Sequence, residues 1–206
     1  MIKKIISSNI LDRRIAHQTT VVSICGAADL GKSYLSKEIA EVLTKQDLKV
    51  NHVTMDSYLI DRPIRKERKL SGYNIEAYDQ TRAAEDLVAL KNGQSIDLHP
   101  YDHREGKISS NAIKMNPSDI LIFDGLHTLH PSFMPHIDIA FFICTDDDFL
   151  KEIRFEADLQ KRNYTPDYSK SIAESEFRLY KSSIEPYKEK ANYVLYLESK
   201  WNYRLE

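Results

Sequence analysis

Residues 26–33 read Gly-Ala-Ala-Asp-Leu-Gly-Lys-Ser and satisfy every position of the pattern Gly-x4-Gly-Lys-[Ser/Thr]. They follow the apolar run 21–25 and precede a helix-like stretch opening at Tyr34-Leu35. Strand, glycine turn and helix in that order constrain the fold more than any other stretch of the chain. The glycines let the backbone curl around a phosphate without a Cβ in the way, and successive N–H groups and the helix N-terminus point at the anion. In that geometry Lys32 reaches the β- and γ-phosphates and the Ser33 hydroxyl ligates Mg²⁺. Gly26, Ala27, Ala28, Asp29, Leu30, Gly31, Lys32, Ser33 and Tyr34 are therefore expected to hold a nucleoside triphosphate together with Mg²⁺. Asp29 is the oddity, a carboxylate inside an anion-binding turn. The expectation is that its side chain turns to solvent and leaves only its N–H for the phosphate.

The rest of the chain alternates strand-like and helix-like segments. Apolar runs at 20–25, 49–55, 119–124, 137–143 and 193–197 read as strands. Helical periodicity marks 1–18, 32–45, 81–91, 147–161 and 168–189, with Ile2, Ile5, Ile6 and Ile10 on one face of the first. The stretch 57–79 is polar and irregular, and 95–115 reads as two short strands around Pro100 and Gly106. Nearly continuous apolar strands separated by helices predict an α/β three-layer sandwich of the P-loop NTPase type with a mostly parallel central sheet.

Composition narrows the partners. The 206 residues, 42% hydrophobic, suffice for one good core and not for two large domains, so a single domain over 1–206 is expected. A net charge of −2 leaves no basic stripe to displace counterions from nucleic acid. No run approaches the roughly 18 apolar residues of a membrane span, and the charged N-terminus does not read as a signal peptide. Cys25 and Cys144 both lie in apolar runs, which favours buried thiols in a reducing, cytoplasmic setting over a disulfide framework. The expected partner is a small-molecule hydroxyl substrate, without nucleic acid or membrane; a homo-oligomer is left open because no motif encodes it.

In a parallel sheet ligands gather beyond the carboxyl ends of the strands. Two acids fall there. Asp124 ends the run 120–123 and suits the acid that holds the Mg²⁺ shell, although Asp124-Gly125 is also an ordinary turn pair. Asp56 ends the second strand and could accept the proton of an attacking hydroxyl; the plainer alternative is a helix N-cap before Ser57-Tyr58.

With these residues in order, the chain resembles the uridine kinase and phosphoribulokinase family of P-loop small-molecule kinases from about residue 20 to 197. Thr54-Met-Asp-Ser-Tyr58 is similar to the family's Asp-Ser-Phe-Tyr segment, Glu76-Ala-Tyr-Asp79 to Asp-Ala-Phe-Asp, and Pro100-Tyr-Asp-His103 to Pro-x-Tyr-Asp. The segment 153–162 resembles the lid helix, and 185–193 the closing Pro…Ala-Asp strand. The resemblance implies transfer of the γ-phosphoryl group of ATP to a hydroxyl of a nucleoside-like acceptor. It implies Asp56 as catalytic base, an acceptor-binding region at 57–115 and a lid at 146–168. Tyr73 stands where an Asp that grips ribose is implied, Ala157 replaces a lid arginine, Asn163 replaces the lid glycine, and His103 directly follows the Tyr-Asp pair. A sugar, a sugar phosphate or a pantothenate-like molecule is thus a rival acceptor.

The lid has a physical rationale of its own. Phosphoryl transfer spreads negative charge over the equatorial oxygens, so an arginine brought in by a closing element stabilises the transition state. Arg162 is the first candidate, joining Lys32 and Asp56 in the expected catalytic set, and Arg154 the second, as a substrate contact. Arg178 and Lys181 read rather as an exposed helix face. Tyr58, Tyr101 and His103 are expected to wall the acceptor pocket. His127, His130 and His136 lie in a Pro-containing loop with no Cys or paired acid to complete a zinc site. A nucleotide-dependent switch is the rival function, but Thr44-Lys-Gln-Asp47 precedes the Asp124 strand, where a guanine-reading motif must follow it.

Overall fold

The computed structural model describes residues 2–206. Helix α1 (Ile2–Asp12) leads into β1 (Thr20–Gly26), the phosphate loop, α2 (Lys32–Thr44) and β2 (Val50–Thr54). After a 3₁₀ turn over Met55–Tyr58 come α3 (Arg62–Glu67) and α4 (Gln80–Lys91). The short strands β3 (Ile96–Leu98), β4 (Tyr101–Asp102), β5 (Lys107–Ile108) and β6 (Ile113–Met115) precede β7 (Ile120–Gly125). Then follow β8 (Ile139–Cys144), the helical pair α5 (Asp147–Gln160) and α6 (Pro166–Ser183), and the hairpin β9 (Tyr193–Ser199) and β10 (Asn202–Leu205).

The main sheet runs β10-β9-β8-β1-β7-β2, parallel throughout except for the antiparallel β9–β10 pair. Every residue of β1, β7 and β8 is buried, as expected of strands covered on both faces. Alternation divides their side chains between two cores. Val22, Ile24, Ile120 and Ile122 face a cluster with Leu35, Ile39 and Leu43 of α2 and Ile6 and Ile10 of α1. Val21, Leu121 and Phe123 face another with Val53 and with Ala83, Leu87 and Leu90 of α4. Each fully buried aliphatic side chain contributes roughly 1.5–3 kcal/mol. Helices therefore cover both faces, and the strand ends at Gly26, Thr54 and Gly125 emerge on one rim.

The departures from expectation have physical reasons. Helix α1 ends at Asp12, and Ile5 is exposed, so Ile6 and Ile10 carry its contact. The irregular stretch 57–79 contains α3, a highly charged six-residue helix with no buried residue and hence no apolar period to read. Region 95–115 forms two antiparallel pairs, β3 with β6 and β4 with β5. Helix α6 stops at Ser183 because Pro186 lacks an N–H and restricts the residue before it; a 3₁₀ turn over Glu185–Lys190 follows. Strand β10, absent from the sequence reading, buries only Tyr203 among its four residues.

Replacing Ile122 with Ala removes a side chain packed on all sides and is expected to cost about 2–5 kcal/mol in urea unfolding. Ile113→Ala, at a position 54% exposed, is expected to change stability by no more than about 0.5 kcal/mol.

Candidate functional site

The phosphate loop leaves β1 at Gly26, where a Cβ would collide with the Ile143 carbonyl of neighbouring β8. It enters α2 through Gly31, which caps the helix at φ 77°. A Cβ on Gly31 would strike the Trp201 ring and the Tyr203 hydroxyl. The C-terminal hairpin thus lies on the loop: Tyr203 Oη donates to the Leu30 carbonyl at 2.9 Å, and Trp201 stacks on Tyr34 with ring centroids 5.7 Å apart. The residues expected to hold nucleotide run from Gly26, the last of β1, through the loop to Lys32, Ser33 and Tyr34 in the first turn of α2.

Lys32 starts α2, and its ammonium donates to the Ala27 carbonyl at 2.7 Å, back across the loop. Burial pushes its pKa below the usual lysine value, while Asp124, Cys25, Asp56 and Asp29 act to raise it. Three carboxylates from three different segments are therefore electrostatic neighbours of one cation. Asp124, at the end of β7, is fully buried. Burial acts to raise its pKa; His52, Ser33 and Lys32 more than offset that and hold it below the usual carboxylate value. His52 Nε2 lies 3.3 Å from Asp124 Oδ2, and among the described residues Oδ1 has no hydrogen-bond partner. An orphaned, buried carboxylate oxygen beside a serine hydroxyl is a hard-oxygen donor set that fits Mg²⁺.

Asp56 sits in the 3₁₀ turn directly after β2, with its side chain 38% exposed. Thr54 caps that turn by accepting the Asp56 N–H, so Asp56 itself is not the cap. His103 Nε2 approaches Asp56 Oδ2 to 3.3 Å, which brings two of the predicted residues together. The Tyr101 ring meets His103 edge-on, and its hydroxyl accepts from Arg65 Nη2 at 2.8 Å. Arg65, on α3, is not among the expected site residues, because it lies in the irregular stretch 57–79, where no periodicity places a side chain. Tyr58 requires a correction. It is 1% exposed, lies within the second core and donates to Asp86 Oδ2 of α4 at 3.0 Å, so it does not wall an acceptor pocket.

The largest correction concerns Asp29. Its carboxylate does not face solvent: it is 6% exposed and is held by Lys161 Nζ at 3.1 Å, Arg162 Nη2 at 3.0 Å and Arg154 Nη1 at 4.0 Å. The two arginines expected over the phosphates are therefore at the loop, gathered on an acid of the loop itself. Asp158, one helical turn from each, binds Arg154 Nε at 3.0 Å and Arg162 Nη1 at 3.2 Å, and accepts from Ser169 at 2.8 Å. The spacing 154, 158, 162 was readable as one helix face; Glu176 of α6, 3.5 Å from Arg154, was not. Tyr73 lies 5% exposed against this cluster, its hydroxyl pushed up to about 12 by burial. Asn163 takes the left-handed backbone, φ 54°, that the glycine it replaces would favour. Lys181 pairs with Asp147 and Glu185 on the outer face, as its helix pattern predicted.

Among the described residues, no helix is long and apolar enough to cross a membrane. The profile of the Phosphoribulokinase / Uridine kinase family matches residues 21–199. The chain belongs to this family. It is 28% identical over 151 residues to a uridine kinase of Lactobacillus helveticus, covering 71% of each chain. It is 27% identical over 180 residues to a uridine kinase of Streptococcus agalactiae, covering 85% of each. In fold it is similar to a D-glycerate 3-kinase from Cryptococcus neoformans, with a TM-score of 0.72, 11% identity and coverage of 100% of this chain and 99% of that one. The family members are P-loop kinases, and the α/β sheet with its nucleotide-binding loop is shared with them.

His127 is a structural residue of this region. It is 1% exposed, donates from Nε2 to the Gly72 carbonyl at 3.3 Å and accepts the Tyr187 hydroxyl at Nδ1, 3.2 Å away. Burial pushes its pKa down from 6.5 to about 4, against the opposing Gly72 contact. The unfolded chain therefore binds a proton that the folded one refuses between those values. Stability from this residue is complete above about pH 6.5 and is lost as the pH falls through about 4, a change of about 3 kcal/mol. His127→Gln is expected to flatten the difference in denaturant-measured stability between pH 7.5 and pH 4.5.

Proposed function

We propose that the protein is an ATP-dependent small-molecule kinase that transfers the γ-phosphoryl group to a hydroxyl of a nucleoside-like acceptor, as its uridine kinase relatives suggest by name. The observation that carries this reading is the place of Asp56. It stands at the end of β2, partly exposed, within the electrostatic neighbourhood of Lys32 and in contact with His103. A carboxylate so placed can orient an acceptor hydroxyl and take its proton while the oxygen attacks the γ-phosphorus in line and ADP departs. The loop 26–34 holds the nucleotide, with Lys32 turning from the Ala27 carbonyl to the phosphate oxygens. Ser33 and Asp124 Oδ1 are the atoms that would hold Mg²⁺, which when bound neutralises charge on the phosphate oxygens.

Arg162 and Arg154 supply positive charge from the α5–α6 side, and segment 146–168 acts as the lid. Tyr101, His103 and Arg65 line the acceptor side. Tyr73, in place of a ribose-gripping Asp, together with the guanidinium of Arg65, favours a second acceptor class, a sugar or sugar acid.

The test is ATP consumption against a panel of nucleosides, sugars and sugar acids. Asp56→Asn is expected to lower acceptor-dependent turnover by about 10²–10⁴-fold while nucleotide affinity stays within about twofold of wild type. Equal turnover in the mutant would remove Asp56 from the chemistry. Nucleotide-driven shape change without turnover for any acceptor would favour a switch.

A further inference from the structure

Asp29 occupies a backbone position that glycine would fill most easily, at φ 64°. Asp is one of the few residues that tolerate this conformation, at a cost of roughly 1–2 kcal/mol. It also brings a negative charge into a turn built to bind anions, where any nucleotide adds like charge. Neither feature helps a loop whose sole task is to hold phosphate.

The compensation comes from across the site. Arg154, Lys161 and Arg162 converge on the Asp29 carboxylate, while Asp158 and Glu176 complete the local neutralisation. Three cations thus face three carboxylates with no nucleotide required. Asp158 and Glu176 belong to the helical pair itself; Asp29 is the partner that ties the pair to the loop. Burial alone would raise its pKa, yet Arg162, Lys161 and Arg154 hold it below the usual carboxylate value, so it stays charged.

We propose that Asp29 is a built-in counter-anion that holds the cations of the α5–α6 pair at the loop until a nucleotide binds, and then yields them to its phosphates. The inference rests on the nucleotide reading of the loop and on the lid reading of 146–168, and it adds an exchange step to them. Arg154, Lys161 and Arg162 cannot reach a phosphate at full strength while they hold the carboxylate. Nucleotide affinity is therefore reduced by whatever fraction of molecules keeps the latch closed. Asp29 acts through these cations and is a positioning residue.

Asp29→Asn keeps the shape and the tolerance for a left-handed backbone and removes the charge. Two readouts follow, neither of which needs an acceptor. In the nucleotide-free protein, amide hydrogen exchange over residues 154–165 is expected to rise several-fold, and saturating ADP is expected to bring mutant and wild type to the same protection. In calorimetry, ADP is expected to bind about tenfold more tightly to the mutant. Removing a like charge beside the phosphates would by itself tighten ADP binding, so the rise in exchange over residues 154–165 without nucleotide is the readout that distinguishes the latch. Asp29→Gly, which also relieves the backbone, is expected to act in the same direction and serves if the Asn variant folds poorly. Unchanged exchange in the nucleotide-free protein, or ADP affinity that is equal or weaker in both variants, would overturn the proposal. A protein that shows both effects yet phosphorylates no acceptor would retain the latch and lose the kinase reading.

Discussion

The site is organised around one partly buried cation. Lys32 feels Asp124 from the end of β7, Asp56 from the turn after β2 and Asp29 from its own loop, and its ammonium rests on the Ala27 carbonyl. Burial pulls the lysine pKa down and these carboxylates act to raise it, while the cation offsets the repulsion among them. The parallel order β8-β1-β7-β2 makes the arrangement possible, because it brings those strand ends to one rim. Burial of β1 on both faces fixes the rim, and the rim fixes the charges.

Much of this was legible in the chain. Continuous apolar runs exposed β1, β7 and β8, since strands covered on both sides need no polar alternation. The glycine turn located the nucleotide cradle, and acids following apolar runs located Asp56 and Asp124. What could not be read were the directions of side chains set by distant partners. Whether Asp29 faces water or protein depends on residues 154, 161 and 162, and no local pattern encodes that meeting. Tyr58 has a neighbour in Asp86 only because α4 packs beneath the 3₁₀ turn. The contact of His52 with Asp124 arises from the β2–β7 register, which sets Thr54 beside Asp124 and His52 beside Ile122.

The missed elements share a cause. Helix α3 has no buried residue, and β10 buries one side chain in four, so neither leaves a periodic trace. Both nonetheless touch the site, α3 through Arg65 on Tyr101 and β10 through Tyr203 on Leu30. Periodicity detects elements that build the core; elements that merely brace a site escape it.

The hairpin that braces the loop has an optical consequence. Trp201 is the only tryptophan in the sequence, and it stacks on the tyrosine that immediately follows the Gly-Lys-Ser turn. The molecule therefore carries a single indole fluorophore at the edge of its cradle, and changes in its emission under selective excitation report on that corner and nowhere else.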